Sequence, residues 1–210
     1  MAIKIVIFDL GNVIFKFDLL KFVKAYVKKI PNHKITDFNN LIPSYSDVSH
    51  AYEKGNISSF EFYDTVARKT KYVGTYNEFA VQWNNIFEPM PEMIELIAAL
   101  SQNYRLVALS NTNELHFDYL KERYPEVFAL FNRLFLSYKM HSRKPEDEIF
   151  LKTIQCCNVL PSEIFYVDDL EDNVTVARNN GISSHLFTNS TVLIKELKDK
   201  KMLMQQYKGG

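Results

Sequence analysis

Five runs of apolar, mostly β-branched or aromatic residues punctuate the chain: "IKIVIF" (3–8), "YRLVALS" (104–110), "RLFLS" (133–137), "EIFYVDD" (163–169) and "SSHLF" (183–187). The first four are continuous rather than alternating, the pattern of strands covered on both faces of a parallel sheet. Between them the spacing lengthens to that of helices. "PEMIELIAALSQ" (91–102) carries Pro91 in its first turn, and "NELHFDYLKERY" (113–124), with Asn113 as its N-cap, follows the same period. So do "PEDEIFLKTIQCC" (145–157) and "EDNVTVARNN" (171–180), the latter stopping at Gly181 as a C-cap. Strand and helix alternate from 91 to 187, which predicts right-handed crossovers and a doubly wound, Rossmann-like α/β core.

Residues 17–90 break this rhythm, being far longer than the dozen or so residues a simple crossover needs. Their pattern is helical throughout: "LLKFVKAYVKKI" (19–30), "ISSFEFYDTVARKT" (57–70) and "YNEFAVQWNNIF" (76–87). Ser58 and Glu61 have the spacing of a capping box at the start of the second. The expected architecture is a core of 1–16 and 88–210, with an all-helical cap, 17–87, inserted after the first strand. An insertion there sits over the crevice where open α/β sheets bind ligands. The tail "KDKKMLMQQYKGG" is expected to begin as helix and fray.

Composition narrows the setting. The 210 residues are 47% hydrophobic, ample for a sizeable core, and 25 basic residues balance 25 acidic ones. That balance speaks against nucleic acid or an anionic membrane as partner. Cys156 and Cys157 are adjacent, so no disulfide framework exists, and both read as buried helix residues in a reducing compartment. No apolar run approaches the roughly 18 residues of a membrane span, and the opening stretch is too short for a signal sequence. A cytoplasmic protein is expected, as a monomer or small homo-oligomer.

The chemistry collects where the strands end. Asp9 follows the first, Ser110-Asn111 the second, a loop with Lys144 the third, and Asp168-Asp169 the fourth. In a parallel sheet these ends share one edge, so groups far apart in sequence converge there. Three carboxylates, a lysine and a hydroxyl suit Mg²⁺ and a phosphate, with one carboxylate free to attack phosphorus. Taken singly, each has a plainer reading. Asp9 could be a turn former, Ser110 to Asn113 only a helix cap, and Lys144 a solvated loop lysine. Arg143 reads as a surface charge, His116 as a packed histidine, and Trp83 with its aromatic neighbours as core of the insertion.

Together, "FDLGNVIF", "VALSNTN", "RKP" and "YVDDLEDNV" resemble, in order and spacing, the four motifs of the haloacid dehalogenase (HAD) superfamily. Their particular forms are similar to its sugar-phosphatase branch, related to the phosphatase domain of soluble epoxide hydrolases. The resemblance implies that Asp9 is a nucleophile forming an aspartyl-phosphate. It implies that Ser110 and the Asn111 amide hold phosphoryl oxygens, and that Lys144 neutralises charge. Asp169, with Asp168 as ligand or close support, Asp9 and the Gly11 carbonyl would bind Mg²⁺ or another divalent cation such as Mn²⁺. Asn173 falls where relatives place a polar group that orients the lysine or a metal-bound water.

The sequence departs from that pattern at Gly11, where most phosphatases of the superfamily carry a second aspartate as general acid and base. Such help is typically worth ~10²–10⁴-fold, and its loss matters least for leaving groups already stabilised, such as an anomeric sugar hydroxyl. The expected substrate is therefore a small phosphorylated metabolite, a sugar 1-phosphate foremost. Two alternatives stand beside it: a 2-haloacid dehalogenase, which needs no acid, and a catalytically weak phosphate-ligand binding protein. Typical dehalogenases carry an aromatic residue at the Gly11 position, and their reaction has no use for a metal-binding acid cluster.

Overall fold

β1 (Ile5–Phe8) lies at the centre of a parallel sheet, and all its side chains are buried. Successive side chains on a strand point to opposite faces, so Val6 and Phe8 enter one apolar layer and Ile5 and Ile7 another. Its neighbours β4 (Arg105–Ser110) and β6 (Ile164–Asp168) divide in the same way. Leu106, Ala108, Phe165 and Val167 join the first layer, and Val107, Leu109, Ile164 and Tyr166 the second. Burial on both faces is why these segments read as unbroken apolar runs. With β5 (Arg133–Leu136) and β7 (Ser183–Leu186) at the edges, the order of the five strands is β5-β4-β1-β6-β7. The chain winds away from β1 in both directions, which puts a topological switch point at its carboxyl end. The computed structural model describes residues 2–31 and 47–207.

Helices cover both faces. α5 (Pro91–Leu100), α6 (Glu114–Arg123), α7 (Pro125–Phe128) and α11 (Ser190–Asp199) close the first layer through Met93, Leu96, Phe117, Val127, Leu193 and Leu197. α9 (Asp147–Cys157) and α10 (Glu171–Asn179) close the second through Ile149, Phe150, Cys157 and Ala177. A single-turn α8 (Ser137–Met140) follows β5.

The long segment between β1 and α5 builds a third apolar cluster of its own. α1 (Leu19–Tyr26), α2 (residues 47–53), α3 (Ser59–Thr70) and α4 (Tyr76–Asn84) pack Phe22, Tyr26, Tyr52, Phe62 and Phe79 together with Tyr72 of the α3–α4 connection. Tyr26 and Tyr72 stack with centroids 4.5 Å apart, and Phe79 meets both rings edge-on. Reciprocal capping boxes, Ser58 with Glu61 and Thr75 with Glu78, start α3 and α4. The chain leaves and rejoins the sheet layer through a short antiparallel pair, β2 (Phe15–Phe17) and β3 (Phe87–Pro89).

Several expectations need correction. The first insertion helix stops at Tyr26 and tightens into a 3₁₀ turn, Val27–Lys29, a common helix ending. The helix expected over 76–87 ends at Asn84, because Phe87 to Pro89 are taken by pairing with β2. The tail does begin as helix, at Lys198 and Asp199, but these residues end α11, which starts at Ser190 and is not among the expected elements; its apolar stripe of Leu193 and Leu197 is set among lysines. Cys157 is buried but Cys156 is exposed, since neighbours on a helix face different ways. Among the described residues, no helix is long and apolar enough to cross a membrane.

Candidate active site

Asp9 extends β1 by one rung: its backbone N–H donates to the Val167 carbonyl at 2.9 Å. The side chain is thereby fixed at the sheet edge, where Oδ1 accepts from the Leu10 amide at 2.7 Å and faces Lys144 Nζ at 3.0 Å. Oδ2 of Asp9 has no hydrogen-bond partner among the described residues and borders a cavity of about 380 Å³. Lys144 is buried, and its ammonium also donates to Asp168 Oδ2 at 2.6 Å.

Asp168 is saturated. Oδ2 takes Lys144 and the Tyr166 hydroxyl; Oδ1 takes the Leu170 amide and Asn173 Nδ2, each at 2.9 Å. Asn173 thus orients Asp168 rather than the lysine. Asp169 is more open: it accepts from Asn12 Nδ2 at 3.1 Å and borders the cavity. The phosphate-binding candidates lie on the opposite side of Asp9. Ser110 is buried at the end of β4 and lines the cavity. Asn111 exchanges two 2.8 Å bonds with the backbone of Lys144, Nδ2 to its carbonyl and its N–H to Oδ1. The Asn111 side chain is therefore consumed in joining two loops.

Charge is unevenly shared across this cluster. Burial drives the Asp9 carboxyl up to about 7; Lys144 pulls it down and the neighbouring Asp168 pushes it further up. Burial works against the Asp168 carboxylate too, but Lys144 and its hydrogen bonds outweigh it, and its pKa lies below the usual range. For Lys144 the desolvation of burial is overcome by Asp9 and Asp168, which hold the ammonium charged. Burial raises Asp169 as well. Asp9, Asp168 and Asp169 bring one oxygen each within 4.8 Å of one another, against the single charge of Lys144. Hard oxygen donors in charge excess fit a divalent cation such as Mg²⁺. For it Asp169 is the most open of the three, whereas Asp168 has no unengaged oxygen.

The fold also recruits residues that sequence reasoning passed over. Asn12 sits at φ 52°, a left-handed conformation asparagine tolerates, and its side chain bridges Asp169 and the Phe17 amide. Tyr166 supports Asp168 from two positions earlier on the same face of β6, a spacing visible in the sequence. Arg143 is not a surface charge: its Nε donates to Glu53 Oε2 of α2 at 2.9 Å, and both residues line the cavity. No signal in the sequence links positions 53 and 143. His116 is packed as expected, stacked on Trp83 and edge-on to Phe87. Its Nδ1 accepts from Asn113 and its Nε2 donates to the Trp83 carbonyl, both at 3.0 Å, and burial lowers its pKa to about 3.

Relatives share both fold and sequence with this chain. It is 27% identical over 192 residues to a D-ribitol-5-phosphate phosphatase of Bacteroides thetaiotaomicron, covering 87% of this chain and 90% of the relative. It is 25% identical to a sesquiterpene phosphatase of Aspergillus oryzae, over 93% of this chain and 95% of that one. A crystal structure of a HAD family enzyme from B. thetaiotaomicron, in complex with magnesium and inorganic phosphate, superposes with a TM-score of 0.79 at 27% identity, covering 89% of this chain and 95% of that chain. The family model for haloacid dehalogenase-like hydrolases matches residues 3–181. The chain belongs to the haloacid dehalogenase-like hydrolase family.

Proposed function

We propose that this protein is a Mg²⁺-dependent phosphomonoester hydrolase for a small phosphorylated metabolite, with residues 17–87 as its substrate-selecting cap. The observation that carries this reading is Asp9, held by Lys144 and the Leu10 amide through one oxygen while the other borders the cavity unpartnered. That is the posture of a nucleophile. Support comes from the relatives, named for ribitol-phosphate and sesquiterpene substrates, and from the neighbour bound to magnesium and phosphate.

A bound Mg²⁺, held by Asp9 and Asp169 with the Gly11 carbonyl and Asp168 alongside, would supply positive charge opposite the phosphoryl oxygens. The protein's own groups do the rest. Asp9 Oδ2 attacks phosphorus in line, forming an acyl-phosphate bond as the ester P–O bond breaks. Lys144, the Ser110 hydroxyl and the Asn111 amide hold the equatorial oxygens where charge accumulates. No acid stands at position 11, so the departing alkoxide takes its proton from water. Water then cleaves the aspartyl-phosphate, releasing phosphate and restoring Asp9. Because proton donation is weak, activated esters are favoured, sugar 1-phosphates first among them. A halide would leave without a proton, but a dehalogenase would have no use for three converging carboxylates.

The test is phosphate release, with Mg²⁺, across sugar, alkyl and acyl phosphates, for the wild type and Asp9→Asn. Release by the wild type and none by the variant is expected. Halide release from chloroacetate with no phosphate from any ester would overturn the reading.

A further inference from the structure

We infer that the Glu53–Arg143 pair on the cavity wall makes the protein selective for phosphoesters of uncharged alcohols. This rests on the phosphatase reading and concerns the part of the substrate that departs.

Every charged side chain lining the cavity outside the acid cluster is already matched. Lys144 is held by Asp9 and Asp168, and Arg143 by Glu53 at 2.9 Å. His116, with Nδ1 accepting and Nε2 donating, is neutral. Among the described residues lining the cavity, every cation already has a carboxylate partner, so no net positive charge remains for a second anionic group on a substrate. Phe17, Leu19, Trp83, Phe87 and Leu170 supply the apolar remainder.

The pair is also built to meet hydroxyls. It uses only Nε of Arg143 and Oε2 of Glu53, so the two Nη groups and Oε1 have no partner among the described residues. A hydroxyl both donates and accepts, and is satisfied by either side of such a pair. A carboxylate or second phosphate can only accept, and meets the Glu53 charge. An ammonium can only donate, and meets Arg143. The two side chains are 26% and 21% exposed, so these repulsions are screened less than they would be in water. Selectivity of this kind comes from what the pair rejects as much as from what it holds.

Two near-isosteric variants test it. Glu53→Gln frees Arg143, and Arg143→Gln frees Glu53. The readout is kcat/KM for three small esters: glycerol phosphate (neutral), 3-phosphoglycerate (anionic) and phosphoethanolamine (cationic). The wild type is expected to favour the neutral ester. Glu53→Gln should shift the ratio toward 3-phosphoglycerate by about tenfold, and Arg143→Gln toward phosphoethanolamine by a similar factor. A pair that merely fastens α2 to the loop before α9 would lower all three rates alike. Unchanged ratios in both variants overturn the inference. The same ratios measured as binding, by calorimetry on the three esters, do not depend on turnover. Absence of phosphate release by the wild type therefore refutes the phosphatase reading separately.

Discussion

The Lys144 ammonium lies 2.6 Å from Asp168 Oδ2, and neither side chain reaches solvent, their exposures being 1% and 0%. A buried ion pair of this kind costs most when one partner is removed, because the other is left charged without water. Lys144→Met should destabilise the protein by about 3–5 kcal/mol in urea denaturation and abolish turnover. A loss below about 1 kcal/mol would show that the pair is not buried as described.

Mg²⁺ should stabilise the folded chain, since the acid cluster exists only there. At a hundredfold excess over Kd the gain is about 2.7 kcal/mol, and chelation should reverse it. Asp169→Asn removes one of the two open carboxylates and should abolish most of the gain. The same stabilisation in that variant would place the cation elsewhere.

Gly11 has open space: nothing lies within 4 Å of where a Cβ would stand. Gly11→Asp therefore fits and supplies a proton donor. On simple alkyl phosphates kcat should rise by up to ~10²-fold, and on activated esters little. The slope of log kcat against leaving-group pKa, measured over a series of esters, should flatten. An unaltered slope would mean that proton donation does not limit the reaction.

His116 predicts a pH effect whose sign is fixed by its burial. The ordinary value is 6.5 and the folded value about 3. Between these the unfolded chain binds a proton the folded chain refuses, so stability is full above about pH 6.5 and falls as the pH drops. The slope from this residue is at most about 1.4 kcal/mol per pH unit. His116→Gln keeps a donor for the Trp83 carbonyl but titrates nothing, so its stability should fall less steeply from about pH 7 to 5. Parallel curves for the two proteins would show that the imidazole charges without cost.

Much of the sheet and of the acid edge could be read from the chain. Asp9, Ser110 and Asp168 stand where apolar runs end, and parallel strands bring such ends together by necessity. Tyr166 could have been read as well, being two residues from Asp168 on one strand. Other features had no local signal. β2 and β3 are three residues each, too short for a period to register. The apolar stripe of α11 is diluted by its lysines. The partnership of Glu53 and Arg143 exists only because α2 folds down onto the loop that carries Lys144.

The paired hydrogen bonds between the Asn111 side-chain carboxamide and the Lys144 backbone bear on how damage to this protein would be diagnosed. They imitate one rung of strand pairing beyond the sheet and tie the position of one loop to that of the other. A substitution at Asn111 would mislocate an ammonium rather than delete a contact to the substrate. In kinetics it would phenocopy a lysine defect, and its cure would lie at a suppressor in the other loop.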